Sequence, residues 1–70
     1  MDTARIQVKY ARKNAGMTQA DVAEALGVTK QTVLNWEAGK TEPSVAQAKQ
    51  LSRLYRIPFD MLIFLPEESN

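Results

Sequence analysis

The chain has 70 residues, of which 44% are apolar, with nine Lys and Arg side chains against eight Asp and Glu side chains. This length predicts one small domain with a single modest core over residues 1–66, followed by a short frayed acidic tail at 67–70. The absence of cysteine and histidine excludes disulfides, thiolate and imidazole catalysis, and the usual zinc or iron sites. The longest apolar run, Met61 to Leu65, is too short for a membrane span or a signal peptide, and neither is expected.

The charge is distributed unevenly along the chain. All nine basic side chains and five of the acidic ones fall in residues 1–56, which gives that part a charge of +4. Asp60, Glu67 and Glu68 bring the remaining residues to −3. An anionic partner is therefore expected on the first part, although mixed charge on a small domain also serves solubility alone.

Two capping boxes and three glycines divide the chain into short helices. Thr18 precedes Asp21 by three residues and Ser44 precedes Gln47 by three, which is the spacing of a side-chain cap on a helix start. Glycines stand where helices are expected to end, at Gly16, Gly27 and Gly39. The predicted helices are Ala4–Asn14, Gln19–Leu26, Lys30–Ala38, Val45–Tyr55 and a last short one, Phe59–Phe64.

Apolar residues recur at helical spacing, and no segment alternates as a strand would. The side chains expected to face the core are Ile6 or Val8, Ala11, Ala15, Val22, Ala23, Leu26, Val33, Trp36, Val45, Ala48, Leu51, Tyr55, Phe59, Leu62 and Ile63. The pattern predicts an all-α fold, a compact bundle of five helices.

The segment from Thr18 to Gly39 is the most informative part of the sequence. Two helices of similar length flank the tight turn Leu26–Thr29, which predicts a helix-turn-helix, and Ala23 is small enough to let the two helices cross closely. Val33 and Trp36 are expected to anchor the second of these helices. Its opposite face presents Lys30, Gln31, Leu34, Asn35 and Ala38.

The amides and the amine on this outward face suit the edges of DNA bases. Gln and Asn present a donor and an acceptor together, as adenine requires in the major groove, and Lys suits guanine. The alternative is an ordinary solvated helix face. Leu34 is less ordinary there, since an exposed leucine on a polar stripe either contacts something apolar or is a tolerated single residue.

The sequence resembles the Cro/phage-repressor (XRE) type of helix-turn-helix domain. The resemblance covers roughly residues 6–63 and is carried by the order and spacing of Arg12–Ala23, Leu26–Thr29, Val33, Trp36–Lys40, Pro43, Ser44 and Leu54–Leu62. It implies a lambda-repressor-like bundle of five helices that binds operator DNA, usually as a dimer on a two-fold symmetric site, with the third helix in the major groove.

The resemblance also implies roles for single residues. Contacts to base edges or adjacent phosphates are implied for Lys30, Gln31, Thr32 and Asn35, and contacts to the phosphate backbone for Gln19, Thr29, Lys40 and Thr41. Arg12 and Glu37 match a pair that joins the first helix to the end of the third. The helix dipole disfavours an acid near a helix C-terminus, which favours a partner for Glu37.

Two residues depart from the family pattern. Leu34 stands where a small or polar residue is usual, and its contact is left open. Arg56 stands where a glycine is common at the end of the fourth helix, which leaves open a different conformation of that turn.

The apolar run from Met61 to Leu65 predicts self-association. On little more than one helical turn its side chains point all round the axis, so the core takes only some of them. The others form the predicted homodimer interface: Met61, Phe64 and Leu65. The alternative is that Pro66 and the acidic tail fold back over this patch.

Two functions from different classes fit the sequence. The first is a sequence-specific regulator of transcription, a repressor of phage-like type, that binds double-stranded DNA in the cytoplasm and there associates with the nucleoid. The second is a protein-interaction module of the same fold, an antitoxin or accessory subunit, with weak DNA binding. The total charge of +1 favours the second, and the contact positions held by Gln19, Gln31, Asn35 and Lys40 favour the first more. An enzyme is not expected, nor a metal or cofactor, because no pair of titratable groups is placed in a plausible cleft.

Overall fold

The structure, a computed structural model, describes residues 6–64. In chain order these residues form β1 (Ile6–Gln7), α1 (Val8–Asn14), α2 (Gln19–Leu26), α3 (Lys30–Ala38), α4 (Val45–Tyr55), a 3₁₀ turn (Phe59–Met61) and β2 (Leu62–Ile63). The two strands pair in parallel, with Ile6 opposite Leu62 and Gln7 opposite Ile63. Within the described range no helix is long and apolar enough to cross a membrane.

The predicted bounds of α2, α3 and α4 are confirmed, and side-chain caps explain where these helices begin. At α2 the Thr18 hydroxyl accepts from the Asp21 amide at 3.0 Å, while the Asp21 carboxylate accepts from the Thr18 amide at 2.9 Å. Ser44 and Gln47 form the same reciprocal box at α4, with bonds of 2.9 and 3.1 Å. These bonds satisfy amides that have no partner within the first turn of a helix.

The prediction of five helices is wrong, because the described residues contain four α-helices. The first helix begins at Val8, and its predicted start at Ala4 lies outside the described residues. The segment predicted as a helix from Phe59 to Phe64 is instead the 3₁₀ turn followed by β2. The extended backbone alternates its side chains, and it directs Leu62 into the core while its amides and carbonyls pair with β1.

The core lies where the four helices meet. Leu51, Val22 and Val33 are its largest fully buried side chains, and the other buried apolar residues are Val8, Ala11, Ala23, Trp36, Ala48, Tyr55 and Leu62. Three residues predicted to face the core are exposed: Ala15, Val45 and Phe59. Ala15 lies past the end of α1, whereas Val45 and Phe59 are the first residues of α4 and of the 3₁₀ turn.

Left-handed backbone conformations end three of the helices. Gly27 and Gly39 cap α2 and α3 with φ angles of 72° and 77°, as expected of glycine. Arg56 caps α4 with a φ of 60°, so the turn keeps the conformation that a glycine would take. A side chain with a Cβ is strained there, by roughly 1 kcal/mol or more.

Candidate nucleic-acid interface

The turn between α2 and α3 fixes how the two helices cross. Three residues, Gly27 to Thr29, connect them, and the Val28 amide donates back to the carbonyl of Ala23 at 3.0 Å. The Thr29 hydroxyl then accepts from the Thr32 amide at 3.1 Å and starts α3. A short connection with both ends bonded leaves the second helix little freedom to tilt, so the outward face of α3 is held in a defined direction.

The outward face of α3 carries the predicted base-contacting side chains. On the inward side Val33 and Trp36 are 1% and 3% exposed. Lys30, Gln31, Leu34 and Ala38 are exposed on the other side, whereas Asn35 and Thr32 are half-buried at its edge. The structure therefore places five side chains together on one surface, hereafter the α3 face: Lys30, Gln31, Leu34, Asn35 and Ala38.

Two amides on the α3 face are bonded to each other. The Gln31 Nε2 donates to the Asn35 Oδ1 at 3.1 Å across one helical turn. This bond leaves the Gln31 carbonyl oxygen and one of its N–H groups free to meet a partner, together with both N–H groups of Asn35. The pair thus presents N–H donors from both residues and the carbonyl oxygen of Gln31 as an acceptor.

Thr29 and Thr32 are engaged at the start of α3. Their two hydroxyl oxygens lie 2.9 Å apart, and the Thr29 oxygen also caps the helix. The Thr32 hydroxyl, predicted to contact bases, therefore points back toward the helix start. A hydroxyl has one donor and two acceptor sites, so this arrangement still leaves capacity for a phosphate oxygen at the edge of the α3 face.

Arg12, Glu37 and Gln19 form one polar network behind the α3 face. The Arg12 Nε donates to Glu37 Oε2 at 2.6 Å and its Nη2 to Glu37 Oε1 at 3.2 Å, which makes the ion pair two-pronged. The Nη1 of Arg12 donates to the Met17 carbonyl at 2.9 Å. The Nε2 of Gln19 completes the network by donating to Glu37 Oε1 at 3.0 Å.

The ion pair within this network is almost closed to solvent. The side chains of Arg12 and Glu37 are 9% and 5% exposed. The hydrogen bond and charge of Glu37 raise the pKa of Arg12, against desolvation, which lowers it. Burial raises the pKa of the nearby Tyr55, and the charge of Glu37 raises it further, so its phenol stays neutral. The positive charge of Arg12 is consequently paired with Glu37 inside the domain rather than presented to an outside partner.

Gln19 links this network to the surface. Sequence reasoning placed Gln19 against a phosphate but did not find its bond to Glu37, because no local pattern relates residues 18 positions apart. The bond uses one of the two N–H groups of the amide and leaves the other for a partner. Glu37 therefore fixes the direction in which Gln19 can donate.

Lys40 and Thr41 follow the end of α3. The amides of both residues donate to the Asn35 carbonyl, at 2.9 and 3.4 Å. Their side chains are exposed. Gly39, in its left-handed conformation, turns the chain so that Lys40 stands beyond the helix rather than along it. Among the described residues no group of three acidic side chains is placed to hold a metal ion.

The predicted dimer residues divide between the core and the surface. Phe64 packs against the core and Met61 is half-buried, while Leu65 lies outside the described residues. Beside them runs an apolar groove of about 370 Å³ whose walls include Pro43, Val45, Ala48, Phe59, Ile63 and Phe64. Val45 and Phe59 are 65% and 43% exposed, and sequence periodicity missed them because it assigned both to the core.

The close crossing of α2 and α3, with a capped turn between them and a polar face outside, defines a helix-turn-helix domain. The chain matches the helix-turn-helix family over residues 8–62. It therefore belongs to this family, in its XRE-type branch.

Relatives of the chain carry names from the same class. An uncharacterized HTH-type transcriptional regulator of Methanothermobacter thermautotrophicus is 39% identical over 49 residues, which are 70% of this chain and 71% of the relative. The uncharacterized regulator MJ0272 of Methanocaldococcus jannaschii is 33% identical over 63 residues, 89% of this chain and 96% of the relative. The HTH-type transcriptional regulator ImmR of Bacillus subtilis is 33% identical over 64 residues, 91% of this chain and 50% of the relative. No solved structure matches the chain.

Proposed function

We propose that this chain is a sequence-specific DNA-binding regulator of transcription that reads the major groove with α3. The observation that carries the proposal is the α3 face, where Lys30, Gln31 and Asn35 stand together while Val33 and Trp36 hold the helix from behind. An α-helix fits the major groove, and amide and ammonium groups match the edges of bases there. Membership of a family whose relatives are named transcriptional regulators supports the same conclusion.

Base readout is assigned to the exposed side chains of α3. Gln31 keeps an acceptor and a donor after bonding to Asn35, the pair of groups that adenine N6 and N7 require. Asn35 offers donors, which suit acceptors such as guanine O6 or thymine O4, and Lys30 at the helix start suits guanine. Thr32 stands at the edge and contributes through its hydroxyl.

Phosphate contacts are assigned to the residues on either side of α3. Gln19 keeps one N–H for a phosphate oxygen, Thr29 lies at the helix start, and Lys40 and Thr41 lie beyond the helix end. Phosphate contacts fix the orientation of a protein on the duplex, and base contacts supply the specificity. Because Arg12 is paired with Glu37, the positive charge among these phosphate-contacting residues comes from Lys40.

Repression is the regulatory outcome that binding alone supports. A protein seated on a promoter excludes other proteins from it, and no further chemistry is needed. We assign the chain to the repressor class on this ground, acting on the nucleoid in the cytoplasm, where its duplex partner lies. A non-enzymatic role agrees with the same mechanism, since the proposed site holds DNA and transforms nothing.

Selection from a random pool of duplexes tests the proposal. We expect enrichment of a defined sequence, and loss of about 1–3 kcal/mol of discrimination at single base pairs in Gln31→Ala and Asn35→Ala. Lys40→Ala should weaken all duplexes nearly equally. A pool that shows no enrichment would instead support the alternative of a protein-interaction module with weak DNA binding. Uniform losses in all three variants would reject the assignment of base readers.

A homodimer on a two-fold symmetric site is the second part of the proposal. Val45 and Phe59 are apolar, exposed and on the same groove, and a second copy related by a two-fold axis can bury both at once. A domain this small gains stability from such burial. Two copies would place their α3 helices about 34 Å apart, one turn of DNA, as a symmetric operator requires.

Sedimentation of the free protein tests the dimer. Phe59→Glu should shift the dimer toward monomer, whereas Tyr10→Glu, a matched change at a side chain 55% exposed on α1, should leave it intact. Phe64→Glu is a poorer test, because Phe64 packs on the core. A parent protein that is monomeric at high micromolar concentration and binds DNA with the same affinity as Phe59→Glu would remove the dimer from this proposal.

A further inference from the structure

Leu34 is an exposed leucine in the middle of the α3 face. Its exposed fraction is 38%. Among residues 6–64 it belongs neither to the buried core nor to the half-buried apolar side chains that pack on that core. Its neighbours at a spacing of three and four residues on the same face are Lys30, Gln31 and Ala38. A leucine without a core role, set among polar side chains, points to an apolar partner outside the domain.

We propose that Leu34 recognises a thymine through van der Waals contact with its C5-methyl group. This inference rests on the proposed function, because it requires α3 to lie in the major groove. The thymine methyl is the apolar group on base-pair edges in that groove, where the other groups are donors and acceptors. A leucine against cytosine N4 or guanine O6 would desolvate a polar atom without bonding to it. Leu34 therefore favours T·A at its position and disfavours the G·C pairs.

The surroundings of Leu34 suit this contact. Ala38, one turn further along α3, is short and leaves the approach to Leu34 open. Gln31, one turn back, is bonded to Asn35, and at 3.6 residues per turn Asn35 and Leu34 flank Gln31 on opposite sides. A helix lying in the groove reads neighbouring base pairs with side chains one turn apart. The thymine is thus expected within one or two base pairs of the pair that Gln31 contacts.

Replacing thymine by deoxyuridine removes the methyl group and keeps every hydrogen-bonding atom of the base. On the sequence selected by the parent protein, each thymine of one half-site is replaced in turn, and the dissociation constant is measured. We expect one thymine near the Gln31 position at which deoxyuridine weakens binding about fourfold, the fold-change for burying one methyl-sized group. In Leu34→Ala the same replacement should change the affinity less, by about 1.5-fold or below, because the alanine Cβ ends short of the position of the leucine methyls and buries less of the thymine methyl.

Controls separate this contact from changes in the DNA and in the fold. Leu34→Ala should remain folded under the conditions of the binding assay, as urea unfolding would show, because Leu34 is outside the buried core and alanine is the better helix former. Tyr10→Ala also shortens an exposed apolar side chain, and it should keep the full response to deoxyuridine.

The outcomes distinguish the failure of this inference from the failure of the proposed function. A chain that selects no sequence overturns both. A chain that selects a sequence overturns the inference alone in three cases: no thymine lies near the Gln31 position, deoxyuridine has no effect, or Leu34→Ala responds to deoxyuridine as the parent does.

Discussion

The ion pair between Arg12 and Glu37 is expected to hold a large share of the stability of this domain. Glu37→Gln keeps the size of the side chain and removes its charge, so the Arg12 guanidinium, whose side chain is 9% exposed, is left without a counter-charge. Breaking a buried pair by removing one partner costs about 3–5 kcal/mol. Arg12 keeps its bond to the Met17 carbonyl, so a loss near about 3 kcal/mol is expected.

A loss of this size is comparable with the whole stability of a small domain. Cores of this size supply about 3–5 kcal/mol of net stability. At about 4–8 °C per kcal/mol for a domain of 60–100 residues, the thermal midpoint of Glu37→Gln should fall by about 12–24 °C. Because the pair is buried, salt should screen it little, and the loss should persist at about 0.5 M NaCl.

Urea unfolding followed by the fluorescence of Trp36, the single tryptophan and 3% exposed, measures this loss. Glu24→Gln is the matched control, because Glu24 is an exposed acid on α2 and its loss should stay within about 0.5 kcal/mol. The double variant Arg12→Met/Glu37→Leu should recover much of the stability, since it removes the unpaired charge as well. Equal unfolding midpoints for Glu37→Gln and Glu24→Gln would refute the reasoning.

Three further outcomes follow from single features. Arg56→Gly should stabilise the fold by about 0.5–1 kcal/mol in urea unfolding, because it relieves a left-handed backbone at φ 60°; no gain would mean that the turn is unstrained. The hydrogen bonds of Thr18 hold the pKa of the Asp21 carboxyl below its ordinary value of 3.8. The stabilisation by the Asp21 carboxylate is therefore complete above the ordinary pKa and is lost as the pH falls through the lower pKa of the folded state. In Asp21→Asn the loss of unfolding free energy at acid pH should shrink. A dependence of unfolding free energy on pH equal to that of the parent would contradict this role of Asp21. Gel shifts at varied salt should give a log–log slope of at least about −0.9 per protomer, from the phosphate contact of Lys40, and a slope of zero would contradict phosphate binding.

The bounds of α2, α3 and α4 were predictable because they are encoded locally. Thr18, Thr29 and Ser44 each accept an amide three residues ahead, and such caps are visible in any short window of sequence. The Arg12–Glu37 pair has no such signal, since its members are 25 residues apart. It was anticipated from the family resemblance, and its near-complete burial and the third partner, Gln19, emerged from the fold.

The N- and C-terminal parts of the fold were not predictable, because they depend on each other. β1 and β2 have two residues each, too few to show the alternation of a strand. Each takes its extended form from the other, through a pairing of residues 56 positions apart, Ile6 with Leu62. A run of apolar residues that follows a turn is equally compatible with a short helix until its pairing partner is known.

The extended conformation of β2 changes which residues are available for self-association. As a helix, the segment after Pro58 would turn Phe64 outward. As a strand, β2 directs Leu62 into the core, and Phe64, which follows the strand, also packs against the core. The exposed apolar surface is formed instead by Val45 and Phe59, which belong to different elements and line the same groove. No periodicity within one segment reveals such a surface, because it is made where two segments meet; the residue whose change to glutamate discriminates a dimer is therefore Phe59.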